Sequence, residues 1–429
     1  MSTAPESASP VPAAVTAPER AAAAVDGDEV VRLVREAVGI PSVTPNEGPL
    51  ARWVLDAMNA TGAFDDTGST EFEPGRPNVW GSAGGPSGRS LLLAGHLDTV
   101  ATEDWSQHWQ GTERADPFGA HVIDGEIWGR GVADQKAGIC AIVEAVSAVR
   151  RAGLRPAGTV SALFVCDEES GQPGSGVSAG IRAAVQGRSG PIPSADFAIY
   201  TEPTTSAIYT AQMGFLIADI TYTGISAYFG RPELGVDALR AGHSLLARLW
   251  DCSDELRASV PPHELLGEAF LLVTSVSAGG NIAVPGRFEL SLIRKLLPGE
   301  SLDEAAEQIR SIAVEAAAAG DVDCVVEFNA ARDHRVGGTP DEIAAGHPGV
   351  RALAGSIEAV TGEPARIDGA PYWSEKSFLR DLGIPSVYFA PGDISNCHTP
   401  FERLDIDELV TATRTLAHFI AEWCETTDP

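Results

Sequence analysis

Short apolar runs that each stop on a histidine or an acid constrain this chain more than any other feature. Leu91-Leu92-Leu93-Ala94-Gly95 ends on His96, with Asp98 two positions on. Ala162-Leu163-Phe164-Val165-Cys166 runs into Asp167-Glu168-Glu169, and Ala198-Ile199-Tyr200-Thr201 runs into Glu202. Runs of this length without polar alternation suit strands buried on both faces, as in a parallel sheet. Between the first two lies Lys136 to Arg151, where Ile139, Ile142, Val143, Val146 and Val149 follow helical spacing. Strands alternating with helices predict an α/β fold with a mainly parallel sheet covered on both faces. In such sheets functional groups gather beyond the carboxyl ends of the strands, where this histidine and these acids fall.

A chain of 429 residues exceeds one ordinary core, so two domains are expected. Residues 1–26, rich in Ala, Pro, Ser and Thr, read as a disordered tail without the basic start and apolar centre of a signal peptide. The first part of a catalytic domain spans 27–211 and its second part 329–429. The segment 212–328 reads as an insert. It offers a strand (Phe215 to Tyr222), a helix (Val236 to Leu249) and two strands (Ala269 to Val276, Arg287 to Arg294). A second helix follows, opened by the capping box Ser301-x-x-Glu304 and left at Gly320, and then a strand, Val322 to Phe328. The order βαββαβ suggests a ferredoxin-like α+β lid.

Thirty basic and 59 acidic residues give a net charge of −29, which argues against nucleic acid and anionic membranes as partners. No apolar stretch is long enough to span a bilayer. The six cysteines show no CxxC spacing and read as free thiols of a reducing cytoplasm. Cys397 stands beside His398 but has no base of its own.

Two histidines with several carboxylates, delivered mostly at strand ends, meet the needs of two divalent metals. Nitrogen and oxygen donors suit zinc, with cobalt or manganese possible. Asp98 is spaced to accept the second ring N–H of His96 and fix its tautomer. Of the adjacent pair Glu168-Glu169, one carboxylate can bind metal while the other serves as general base. Asp134 follows Gly129-Arg130-Gly131 and precedes a helix; it reads either as an N-terminal cap or as a ligand, including one shared by two metals. His398 lies in Asn396-Cys397-His398-Thr399-Pro400.

The chain resembles the M20 family of dinuclear metallo-aminoacylases and peptidases. The likeness rests on Gly95-His96-Leu97-Asp98-Thr99-Val100, Gly129-Arg130-Gly131 with Asp134 and Lys136, Asp167-Glu168-Glu169, Glu202-Pro203-Thr204, and His398-Thr399-Pro400 with Glu402. The resemblance implies that Asp134 bridges the metals, that His96 and Glu202 complete one site, and that Glu169 and His398 complete the other. Glu168 is then the general base, and a hydroxide bridging the metals attacks the amide of an N-acyl amino acid or small peptide. The insert becomes a lid that also mediates a homodimer. Asn281 resembles the family's lid asparagine, and Arg294 the arginine that holds a substrate carboxylate bidentately.

Tyr228 stands where the family carries a histidine that stabilises the oxyanion across the dimer, so Tyr228 joins Glu168 and Asp98 among the catalytic expectations. It also motivates an alternative, a biosynthetic enzyme of the same fold performing acyl transfer or amide formation. Ser374-Glu375-Lys376, Gln135 and Ala137 likewise depart from the family pattern.

Overall fold

The computed structural model describes residues 15–102, 104–169, 176–190, 192 and 194–427. The apolar runs become neighbouring strands of one large sheet. In chain order that sheet takes β1 (Asp66–Glu73), β2 (Arg76–Gly84), β3 (Leu91–His96), β4 (Thr159–Val165), β5 (Phe197–Tyr200) and β6 (Ile208–Gln212). The insert follows with β7 (Gly214–Thr223), β8 (Phe270–Ala278), β9 (Arg287–Leu296) and β10 (Asp323–Phe328). The large sheet then adds β11 (Asp341–Glu342), β12 (Ile367–Ala370) and β13 (Ser386–Tyr388).

Its spatial order is β1-β2-β4-β3-β5-β13-β6-β11, with β12 also paired to β6. The centre, β4-β3-β5-β13, is parallel, and antiparallel pairs flank it. In register His96 lies opposite Val165, so β3 and β4 end at the same level. The helix Ala137–Arg151 is buried along nearly its whole length, and the helix Ile406–Trp423 packs against it. No described helix is long and apolar enough to cross a membrane.

The expected disordered tail is corrected in part. Ala17–Ala23 forms a helix opened by a Thr16–Glu19 capping box, with Pro18 in its first turn, where a missing N–H costs nothing. Ala21 and Ala22 are buried as this helix packs on Ile406–Trp423 and Ala137–Arg151. Alanine allows so close an approach, and burial supplies what a seven-residue helix lacks alone. Residues 1–14 lie outside the described residues.

The insert forms an antiparallel sheet ordered β8-β9-β7-β10, the ferredoxin-like arrangement. The helices Ala238–Ser259 and Leu302–Gly320 cover one face of it, packing on Leu216, Ile220, Tyr222, Phe288 and Leu290. Ser301 caps the second helix by accepting from the Glu304 N–H. The left-handed residue at that helix's exit is Asp321 (φ 53°), not Gly320. Gly320 serves close packing instead: a Cβ there would lie 2.6 Å from the Ala241 Cβ.

Candidate metal centre

Parallel register brings most of the acidic and imidazole groups to one edge of the sheet. β3 ends in His96, β4 leads to Glu168 and Glu169, and β5 leads to Glu202. Asp134 and His398 arrive from remote segments. The strand Arg403–Asp405 pairs antiparallel with Glu126–Trp128, setting the His398 loop against the turn that holds Asp134. Glu402 ties the two together. Its Oε2 accepts from Arg130 at 2.5 Å, and its Oε1 from the backbone N–H groups of Ala133 and Asp134 at 3.2 and 3.3 Å. The Asp134 side chain caps no helix.

Asp134 stands between the two histidines. Its Oδ1 is 3.0 Å from His96 Nε2 and its Oδ2 is 3.2 Å from His398 Nε2. His398 Nε2 also lies 2.8 Å from Glu169 Oε1, and His96 Nε2 lies 3.7 Å from Glu202 Oε1. The donor atoms of His96, Asp134 and Glu202 fall within 4.8 Å of one another, as do those of Asp134, Glu169 and His398. A carboxylate oxygen of Glu168 also lies within 4.8 Å of donor atoms of His96 and Glu169, so four carboxylates converge on two imidazoles, an excess of negative charge that calls for cations. Two overlapping triads of nitrogen and oxygen donors sharing Asp134 fit two divalent ions.

The protonation of these groups reflects that charge balance. Burial alone would lower the His96 imidazole, yet the carboxylates of Glu202, Asp134 and Glu168 hold it well above its usual range. Burial likewise opposes His398, which Asp134 and Glu169 raise to about 11. Burial raises Glu169 to about 7, with the Asp134 charge adding to it. Burial also pushes Glu168 well above the carboxylate range, helped by Glu202 and Glu169. Asp134 is held low by the two histidines against its burial.

The supporting contacts partly differ from expectation. His96 Nδ1 lies 3.0 Å from the backbone carbonyl of Asp98, while the Asp98 carboxylate is 3.7 Å away. That carboxylate instead accepts from the Thr44 hydroxyl and from the backbone N–H groups of Glu168 and Glu169. Asp98 therefore fixes the glutamate corner with its side chain and orients the imidazole with its main chain. Asp167 holds the same corner with φ 75°, accepting from Arg76 and from the N–H groups of Gly176, Val177 and Ala179. His398 is also left-handed, at φ 60°. Such strained residues persist where neighbours over-determine them, commonly at functional sites.

The departures from the family pattern are absorbed locally. Ser374 donates to Glu202 Oε1 at 2.6 Å, and Gln135 Oε1 accepts from the His96 N–H and the Thr201 hydroxyl. Glu375 accepts from the Tyr200 hydroxyl, and Lys376 pairs with Asp341 in the interior. Cys397 is buried with its thiol pushed far up by that burial, unsuited to attack.

A cleft of about 380 Å³ opens over the cluster between the two domains. Tyr228, Asn281 and Arg294 do not line it. Tyr228 is 62% exposed on a lid loop, against Phe229, and Asn281 is exposed as well. Arg294 is corrected as a substrate clamp: its guanidinium lies in the lid interior, paired with Glu300 and the Lys295 carbonyl. Strand alternation explains this, since Ile293 takes the cleft face and its neighbour Arg294 the opposite one. Sequence reading missed Arg332, which does line the cleft, and also Tyr372 and Trp373. The signal for Arg332 was weak, a lone arginine just past the last lid strand.

Residues 92–422 match the model of Peptidase family M20/M25/M40. The chain is 26% identical to the N-formyl-4-amino-5-aminomethyl-2-methylpyrimidine deformylase of Bacillus subtilis, over 92% of this chain and 95% of that protein. It is 30% identical to the succinyl-diaminopimelate desuccinylase of Gluconacetobacter diazotrophicus, over 90% and 95% respectively. The aminopeptidase PepT structure from Bacillus cereus superposes with a TM-score of 0.73 at 18% identity, covering 93% of this chain and 99% of that one. With the family match spanning most of its length, the chain belongs to peptidase family M20/M25/M40.

Proposed function

We propose that the protein is a dinuclear, zinc-dependent amidohydrolase that cleaves an N-acyl amino acid or small peptide. The observation that carries this reading is Asp134, whose two oxygens face two different imidazoles within two overlapping donor triads. His96, Glu202 and Asp134 would hold one ion, and Glu169, His398 and Asp134 the other. When bound, the ions would polarise the amide carbonyl and lower the pKa of water. Glu168 borders the cleft, within 4.8 Å of donor atoms of His96 and Glu169. It accepts the proton from the attacking water and delivers it to the leaving nitrogen, as a general base beside the cleft can.

Arg332 supports an amino-acid-like substrate. Apart from His398, it is the only basic side chain lining the cleft among the described residues. Its guanidinium rests 5.9 Å from the centre of the Phe215 ring, has no acidic partner among the described residues, and is free to take a carboxylate. The lid's outermost strand β8, with Leu272 and Val276 exposed, supports a second copy of the chain as partner.

Stripping the purified protein with a chelator is expected to abolish hydrolysis of N-acetyl amino acids. Adding back zinc should restore it, at two ions per chain by elemental analysis. Full activity in metal-free protein would sink the proposal. Tyr228 motivates the acyl-transfer alternative, and robust hydrolysis by the unaltered protein would remove that motive.

A further inference from the structure

The lid sheet presents apolar side chains where it meets the cleft. Strands β7 and β9 pair so that Ile217 lies opposite Ile293. Moving away along the same sheet face, the next pairs are Asp219 with Ser291 and Thr221 with Glu289. The other face of these strands packs into the lid core, so it does not explain the contrast. Phe215, Ile217 and Ile293 are partly buried and line the open cleft together.

The apolar surface continues onto the catalytic domain. Trp373 meets Phe215 with ring centroids 5.9 Å apart, and Tyr372, Met213 and Ile394 extend the wall. This surface faces the same space as Glu168 and the shared carboxylate Asp134. We propose that the cleft selects amides bearing a large apolar substituent, branched or aromatic, beside the scissile bond, and disfavours short or acidic ones. The inference rests on the amidohydrolase reading and deepens it by naming the substrate class.

The physical basis is desolvation. One methylene more or less in an apolar pocket changes selection by about 10- to 200-fold. An acidic substituent would leave water for the Phe215, Ile217 and Ile293 side chains, which offer it no hydrogen bond, while Arg332 would be occupied by the substrate's own carboxylate.

The test uses the zinc-loaded full chain carrying Glu168→Gln, so that bound amides persist. Calorimetry would compare the N-acetyl derivatives of L-phenylalanine, L-leucine, L-alanine and L-glutamate. The first two are expected to bind at least about tenfold tighter than the last two. Adding Ile293→Thr, which keeps a β-branched residue in the strand, should narrow that gap while thermal unfolding reports an intact fold. Equal or tighter binding of the alanine or glutamate derivative would overturn the inference. So would no measurable binding of any derivative, or an Ile293→Thr loss equal for all four. Selective binding with no hydrolysis by the unaltered protein would instead overturn the amidohydrolase reading and leave the pocket's selectivity standing.

Discussion

At the floor of the cleft nearly every donor has a second partner behind it. The Asp98 carbonyl holds His96, Ser374 holds Glu202, the Asp98 carboxylate holds the Glu168-Glu169 backbone, and Glu402 holds the Asp134 turn. On the lid side, Phe215, Ile217 and Ile293 line open space, and Phe215 rests against the Trp373 ring and the Arg332 guanidinium. Displacing a floor group leaves buried polar atoms unpaired in low dielectric, a cost paid in full. Displacing a wall group loses contact area, a smaller and graded cost. The floor therefore tolerates little change while the wall can be retuned, so substrate range can shift without disturbing the chemistry.

This contrast can be broken from either side. The largest effect is expected from Glu168→Gln, which should lower kcat by about 10²- to 10⁴-fold in steady-state assays while zinc content stays unchanged. Loss of zinc along with activity would show that Glu168 is a ligand and not a base. Next comes Arg76→Met. Arg76 bridges the buried carboxylates of Glu47 and Asp167, and removing it strands two buried charges. A loss of about 3–5 kcal/mol in chemical denaturation is expected. A negligible loss would show that the glutamate corner is held by its backbone contacts alone.

Glu402→Gln keeps shape but removes the charge facing Arg130. Zinc affinity, measured by competition with a chromophoric chelator, should weaken by about 10- to 100-fold, as for other residues that orient metal ligands. The smallest effect belongs to the wall. Ile293→Val should cost less than about 1.5 kcal/mol in stability and leave zinc affinity unchanged. A wall substitution that weakened zinc binding would erase the distinction between the two regions.

Much of the floor was legible because strand ends announce themselves. His96, Glu168, Glu169 and Glu202 each follow an apolar run, and parallel strands that start together end together. The lid was readable from its alternating strands and the Ser301 helix cap. The hairpin β1–β2 was not, because the run from Asp66 to Glu73 is polar and mostly exposed. Its strand character comes from pairing with β2 and not from its own pattern. The Ala17–Ala23 helix escaped for a related reason: an alanine-rich segment is helical here because a neighbour buries it.

The sequence by itself determined the donor set, the α/β order of elements and the presence of a lid, because residue chemistry and hydrophobic period are local properties. Only the tertiary structure decided which donors face one another and which lid residues face the cleft. Asp134 and His398 meet through Glu402 and a strand pair joining segments more than two hundred residues apart. Ile293 rather than Arg294 reaches the cleft because successive side chains in a strand point to opposite faces, and packing of the lid helices settles which face is buried.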